Sequence, residues 1–262
     1  AGLHASGTTT VHEPAVTRDH TERMLRGFGV DVEVNGLTAS VRGGQKLSAT
    51  SLTVPGDISS SAFFLVGASM TPGSKLTLTG VGMNPSRTGV IDILRLMGAN
   101  IRICNERVTG GEPVADLEVE GARLKGIHVP EELVSLAIDE FPALFVAAAS
   151  AEGETVVTGA EELRVKETDR IQVMADGLRA LGGDITDTPD GAIIRGKRLT
   201  GGTADSCGDH RTAMSFSMAS LICDGPITVL DCDNVNTSFP GFVQIAGAAG
   251  LHITESRGTA AT

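Results

Sequence analysis

Ile91-Asp-Ile-Leu-Arg-Leu-Met-Gly98-Ala-Asn-Ile-Arg-Ile103 changes its period halfway. Up to Gly98 the apolar residues Ile91, Leu94 and Met97 recur at helical spacing; beyond it Ala99, Ile101 and Ile103 alternate with polar residues, as in a half-buried strand. Glycine between the two is the residue that lets a helix end in a left-handed turn. The same script recurs at Phe28-Gly29 before Val30-Asp-Val-Glu-Val34, at Leu181-Gly182 before Gly183-Asp-Ile185, and at Ala249-Gly250 before Leu251-His-Ile253. Met174, Leu178 and Leu181 repeat the helical face.

Working outward, each stop is preceded by a glycine turn and a short β-branched run: Gly7-Thr-Thr-Thr-Val11, Gly73-Ser-Lys-Leu-Thr-Leu78, Gly153-Glu-Thr-Val-Val157 and Gly225-Pro-Ile-Thr-Val229. Before three of these turns stands a further helix opening on an aspartate, at Asp57-Ile-Ser-Ser-Ser-Ala-Phe-Phe-Leu65, Asp139-Glu-Phe-Pro-Ala-Leu144 and Asp209-His-Arg-Thr-Ala-Met214. For the first turn that helix is reduced to Ala1-Gly-Leu-His-Ala-Ser6, so the expectation is a chain that begins inside a repeat. Each unit then reads βαβαββ, about 70 residues long by the length of such modules. Stacked units predict an α/β (α+β) architecture with buried helices and solvent-facing sheets. Gly43-Gly44 and Pro55-Gly56 place a domain boundary near Leu52 to Val54: residues 1–52 as an incomplete unit, residues 53–262 as the main domain, with a disordered tail from about 256.

Composition narrows the partners. With 21 Lys and Arg against 32 Asp and Glu, the net charge of −11 opposes nucleic acid and anionic membranes, which are held by a basic field. With no Trp, no Tyr and eight Phe, stacking on bases is not expected either. A small anion remains possible if local clusters of Arg and Lys outweigh the global field. Cys104, Cys207, Cys223 and Cys232 show no C-x-x-C spacing, so neither a disulfide framework nor a zinc site is expected, and a reducing cytoplasm is the default compartment. The longest apolar run, Phe141 to Ala151, is too short to span a membrane. Nothing calls for a metal, nucleotide or flavin cofactor.

Arg164-Val-Lys-Glu-Thr-Asp-Arg170 concentrates three basic and two acidic residues at an expected helix start. Basic side chains are unfavourable there, which makes a ligand site the competing reading to a solvated turn. The segment resembles the signature of 5-enolpyruvylshikimate-3-phosphate synthases, and Gly208-Asp-His-Arg-Thr-Ala-Met214 resembles their later Asp-His-Arg motif. Ala137-Ile-Asp-Glu-Phe-Pro142 and Val54-Pro-Gly-Asp-Ile-Ser-Ser60 fit the same family. Arg18-Asp-His-Thr-Glu22 and Asn84-Pro-Ser-Arg87 resemble the subgroup that includes many Gram-positive and glyphosate-tolerant enzymes.

The resemblance implies a domain of the enolpyruvyl transferase type, an inside-out α/β barrel-like packing of such repeats. It also implies transfer of the enolpyruvyl group of phosphoenolpyruvate to the 5-hydroxyl of shikimate 3-phosphate, with glyphosate as inhibitor. By similarity Asp139 is the base at the shikimate hydroxyl, Glu167 the proton shuttle at C3 and Lys166 the bridge between substrates. Arg170 and Arg211 clamp phosphoenolpyruvate and Arg18 reaches the shikimate phosphate. The family's remaining groups lie in a preceding half, so this chain is expected to supply about half of the active site. Many members carry a Lys before the late Phe-Pro pair; Asn236-Thr-Ser-Phe-Pro240 has none. Taken singly, Asp139 and Asp209 read as helix caps, and His210, His20, Glu22 and Arg87 as orienting or surface groups. The competing functions are a non-catalytic anion-binding or assembly module of the same fold, another enolpyruvyl transferase, and an RNA 3′-phosphate cyclase, which the acidic balance opposes.

Overall fold

The repeat read from the glycine stops is present in the computed structural model, which describes residues 1–14 and 16–256. The expected tail beyond that point lies outside the described residues. After a 3-10 turn at Gly2–His4 come β1 (Thr8–His12), α1 (His20–Gly27), β2 (Val32–Asn35) and β3 (Thr38–Arg42). α2 (Ile58–Met70) leads to β4 (Lys75–Gly82), α3 (Gly89–Leu96), β5 (Asn100–Thr109) and β6 (Glu112–Glu120). α4 (Glu131–Val134), a 3-10 turn and α5 (Phe141–Ser150) lead to β7 (Glu154–Val157), α6 (Arg170–Ala180), β8 (Asp184–Thr188) and β9 (Gly191–Arg195). β10 (Gly202–Asp205), α7 (His210–Ala219), β11 (Ile227–Leu230), α8 (Val235–Ser238) and α9 (Phe242–Ala248) complete the order.

Three sheets share one topology, with the last strand of each unit in the middle: β1-β3-β2, β4-β6-β5 and β7-β9-β8. Short parallel pairings precede each later unit, at Gly56 with Val81, at Lys125 with Glu152, at His128 with Val156, and between β10 and β11. The helix ends repeat to the hydrogen bond. Gly98, at φ +93°, donates to Arg95 O while Ala99 donates to Leu94 O. The equivalent amide pairs are Gly29 and Val30, Gly182 and Gly183, and Gly250 and Leu251. At three of the four stops an arginine then ties the helix to the strand after it, Arg26 to Val32 O, Arg95 to Ile101 O and Arg179 to Ile185 O.

The fourth unit departs from expectation, because residues 251–253 form no strand. In the other three units the strand after the glycine is held by the last strand of its unit; among the described residues 251–253 have no ladder partner, and an unpaired strand has nothing to stabilise it.

The chain divides into two compact units, one of Ala1–Ile58, Leu78–Thr88 and Ile103–Leu117, the other of Ser59–Thr77, Gly89–Arg102 and Glu118–Thr262. In the first, Val30 is the only buried apolar side chain among the described residues before Ile58, and α1 buries none of its own residues. β2 is therefore largely exposed, where alternation alone predicts a half-buried strand.

The second unit holds the core. α5 is buried on every side from Phe141 to Ala149, and such all-round apolarity marks a central helix. With the turns before it, it forms the helical run Glu131–Ser150, 20 residues long and apolar enough to cross a membrane by length and composition. A reading that starts the run at Phe141 misses this; its residues are mostly buried inside the fold, as those of a core helix are. Phe63 and Phe64 of α2 meet Phe239 and Phe242 edge-on or tilted at ring centroids 6.0 to 6.3 Å apart. Such pairs contribute about 0.5–1.5 kcal/mol each beyond their area.

α6 and α7 approach closely at Gly177, where an added Cβ would stand 2.1 Å from Phe216 Cζ. Gly177→Ala is therefore expected to destabilise the chain by roughly 1–3 kcal/mol through overpacking, although Ala is the better helix former by about 1 kcal/mol. Thermal unfolding checks this; an unchanged or raised Tm contradicts it.

Candidate active site

α6 and α7 bring their first residues together, and the 3-10 turn before α5 delivers a third segment to the same place. Residues 164–170 do not all open a helix, as expected from sequence. Glu161–Val165 is a 3-10 turn, Lys166 is extended, and only Arg170 is helical. Asp169 takes the cap position, accepting from Gln172 N at 3.0 Å, which leaves Arg164 and Lys166 outside the helix and only Arg170 at the positive end of its dipole. Arg164 turns away: its guanidinium holds Thr188 O, Pro189 O and Asp169, so its role is to pin the turn.

Asp139 is not a helix cap either. It belongs to the 3-10 turn Ser135–Glu140, and Glu140 occupies the cap position of α5 without a side-chain bond to the helix amides. Pro142 opens that helix and removes a donor from its first turn, which relieves the need for a capping carboxylate. Asp209 is a cap and more. Its Oδ1 accepts from Arg211 N at 2.8 Å, and its Oδ2 accepts from Arg170 Nε at 2.7 Å and from Thr168 Oγ1 at 3.3 Å.

Three cations thus converge on Asp139. Lys166 Nζ and Arg170 Nη1 each lie 3.7 Å from its Oδ1, and Arg211 Nη2 lies 3.9 Å from its Oδ2. Arg211 Nη1 also donates to Asp139 O at 3.2 Å. Glu140, buried, accepts from Ser59 and faces Arg211 at 3.9 Å. Glu167 folds back onto Arg170 Nη2, and Glu162 onto Lys166 Nζ. Arg170 is only 1% exposed, and its Nη1 is buried with no hydrogen-bond partner, a donor left over in the middle of the cluster.

The condition set for a small anion, a local excess of Arg and Lys, is not met by simple count. Asp139, Glu140, Glu162, Glu167 and Asp209 outnumber Lys166, Arg170 and Arg211. Glu162 and Glu167, however, are 59% and 54% exposed, so an incoming anion has two carboxylates it can displace at little cost. Burial works to raise the Asp209 carboxyl, but the hydrogen bond and charge of Arg170 outweigh it and hold the pKa below its ordinary value. Burial, then the charge of Arg211, pushes His210 below the ordinary imidazole range, so it is neutral at pH 7 and can accept or donate without adding charge.

Sequence reading missed Glu140, Glu162 and the second role of Asp209. The i,i+4 spacing of Glu162 and Lys166 was a legible signal; the pairing of Asp209 with Arg170, 39 residues apart, was not. Arg18 is exposed and lies in the other compact unit, before α1. In that same unit Arg87 pairs with Asp57 at 3.3 Å. Among the described residues no group of His, Cys, Asp and Glu is arranged to hold a metal ion.

The repeats, with a cluster of carboxylates and cations where α5, α6 and α7 begin, are those of an enolpyruvyl-transferase type of fold. The enolpyruvyl transferase NikO from Streptomyces tendae superposes with a TM-score of 0.75 at 23% identity, over 97% of this chain and 58% of that one, a likeness of fold alone. The relationship narrows with sequence. The family profile described as EPSP synthase (3-phosphoshikimate 1-carboxyvinyltransferase) matches residues 1–245, and this chain belongs to that family. A 3-phosphoshikimate 1-carboxyvinyltransferase from Acidithiobacillus ferrooxidans is 62% identical over 251 residues, covering 96% of this chain and 58% of the relative. One from Nitrosococcus oceani is 60% identical over 257 residues, covering 98% and 58%. The EPSP synthase structure from Acinetobacter baumannii gives a TM-score of 0.96 at 58% identity, over 98% of this chain and 60% of that one. The chain thus spans a little under 60% of the length of the relatives it matches.

Proposed function

We propose that this chain supplies about half of an active site that transfers the enolpyruvyl group of phosphoenolpyruvate to the 5-hydroxyl of shikimate 3-phosphate and releases phosphate. The observation that carries the reading is the convergence of Lys166, Arg170 and Arg211 on the Asp139 carboxylate, beside an exposed Glu167. Addition of the hydroxyl to C2 needs a base at oxygen, a proton source at C3, and cations around phosphate and carboxylate. Asp139 takes the hydroxyl proton and Glu167 protonates C3, then removes that proton as phosphate leaves. Arg170 and Arg211 hold phosphoenolpyruvate, Arg170 exchanging its Glu167 contact for a ligand oxygen, and Lys166 bridges the two substrates. Arg18 holds the shikimate phosphate, and glyphosate competes for the phosphoenolpyruvate position. The proposed compartment is the reducing cytoplasm, in keeping with four cysteines of which none is in a disulfide.

The rest of the site belongs, in this reading, to a preceding half of the protein. Eight of the exposed large apolar side chains fall between residues 11 and 54, among them Val11, Met24, Val34 and Leu37, as expected of a surface that another part of the enzyme covers. Phosphate release from both substrates tests the proposal. The chain alone is expected to turn over negligibly. Activity should appear when it is combined with the part of the Acidithiobacillus ferrooxidans protein that it does not match. Turnover by the chain alone contradicts the half-site reading, and no turnover by a stable assembly contradicts the reaction.

A further inference from the structure

Asp19 stands at the cap position of α1 but does not cap it. Its torsions, φ −96° and ψ 21°, are not the extended ones a capping residue adopts, and its carboxylate makes no bond to the helix amides. The carboxylate is held elsewhere. Arg23 Nε donates to both oxygens, at 2.8 and 2.9 Å, and Asn84 Nδ2 donates to Oδ1 at 2.7 Å. These bonds, Arg23 first, keep the Asp19 pKa below its ordinary value, so the carboxylate is charged at any neutral pH.

Asn84 is only 2% exposed and is fixed at both ends. Its Oδ1 accepts from Ser86 N at 2.9 Å and from Ser86 Oγ at 2.7 Å, which determines which way the amide faces. Its Nδ2 also donates to Glu112 Oε2 at 3.2 Å and lies 3.3 Å from His20 Nδ1, itself 2.7 Å from Glu112 Oε1. One buried amide therefore gathers two carboxylates from distant stretches of chain, which without it would repel. All these residues lie within one compact unit.

A capping aspartate drawn away from its helix breaks a local rule, and a buried hub maintains the breach. The peptide that Asp19 shares with Arg18 is the lever. If Asp19 were released, its carboxylate would rotate to cap α1, its backbone would move toward the extended region, and the direction of the Arg18 side chain would change. We propose that Asn84 is a positioning residue for Arg18. Together with Arg23, whose Nε donates to both Asp19 oxygens, it holds that carboxylate off the start of α1 and so fixes the approach of the Arg18 guanidinium to the phosphate of the acceptor substrate. The inference rests on the reading of Arg18 given above.

A cavity of about 260 Å³ borders the hub, lined in part by His20, Asn84, Arg87 and Glu112, so water can replace the lost donors and Asn84→Ala is expected to fold. In the assembled enzyme, Asn84→Ala should raise the KM for shikimate 3-phosphate about 10-fold, with kcat and the KM for phosphoenolpyruvate changed less than about twofold. Arg18→Ala should raise the same KM at least as far, and the double variant should be no worse than Arg18→Ala alone, because Asn84 acts only through that side chain. Asp19→Ala, which cuts the same link from its other end, repeats the measurement if Asn84→Ala does not fold. An Asn84→Ala effect that multiplies that of Arg18→Ala, that falls on both substrates, or that is absent overturns the inference while leaving the role of Arg18 intact. An Arg18→Ala variant with an unchanged KM overturns the reading of Arg18, and the inference with it.

Discussion

Arg170→Ala is expected to cost about 3–5 kcal/mol of stability and nearly all activity. The size follows from what the substitution strands. Asp209 has no exposed side-chain surface, and Arg170 Nε, at 2.7 Å, is its charged partner. Removing one member of a buried pair leaves the other desolvated and uncompensated, which is far more costly than never having had the pair. For a chain of this size that predicts a fall in Tm of roughly 6–20 °C. The double variant Arg170→Met, Asp209→Ala should be less destabilised than Arg170→Ala, losing the α7 cap, about 1 kcal/mol, but burying no lone charge. A double variant as unstable as the sum of the singles would show that the pair is not the source.

The pH dependence differs between the two proteins. In the parent chain the Asp209 pKa is depressed on folding, so its contribution is complete above the ordinary carboxylate value near 4 and is lost as pH falls through the folded value. In Arg170→Ala burial is opposed only by the Arg211 amide and the neighbouring His210, so that pKa stands higher than in the parent. The native state of the variant then binds a proton more readily than that of the parent, so its deficit relative to the parent shrinks as pH falls. Denaturant unfolding at neutral pH and near pH 4 separates the two slopes.

How far the sequence foretells this site depends on the range of the interaction. The glycine stops are local: Gly98 needs only its own φ and the carbonyls of Leu94 and Arg95, so pattern predicts them and the structure repeats them in every unit. The α/β class follows from the same signals. The strand expected at residues 251–253 fails because a strand depends on a partner that pattern at one place cannot supply. Asp139 and Asp209 look alike in sequence, each the expected opening of a helix, yet only Asp209 caps one. What separates them is Pro142 after the first, and for the second a partner in another helix. The roles proposed for these groups rest on the resemblance of the motifs. Their charge balance, with exposed Glu162 and Glu167 folded over the cations, is a tertiary fact.

Glu167→Gln distinguishes an enzyme from a module that only binds anions. Glu167 is 54% exposed and touches Arg170 through a surface-side contact, so its neutral isostere should change stability by less than about 1 kcal/mol. Substrate binding should change little as well, because the amide fits the same space and removes a carboxylate that competes with the ligand for Arg170. What the amide lacks is an exchangeable acid proton at the right strength. General acid-base groups contribute about 10²- to 10⁴-fold, so in the assembled enzyme kcat should fall by at least ~10²-fold with each KM within about threefold. Glu167→Asp, which keeps the acid but draws it back by one methylene, should fall between the two. A binding module gives the same affinity for all three proteins and no rate to lose. A kcat for Glu167→Gln within threefold of the parent would remove Glu167 from the proton path and leave Asp139, at the meeting point of the three cations, as the acid-base group to test next.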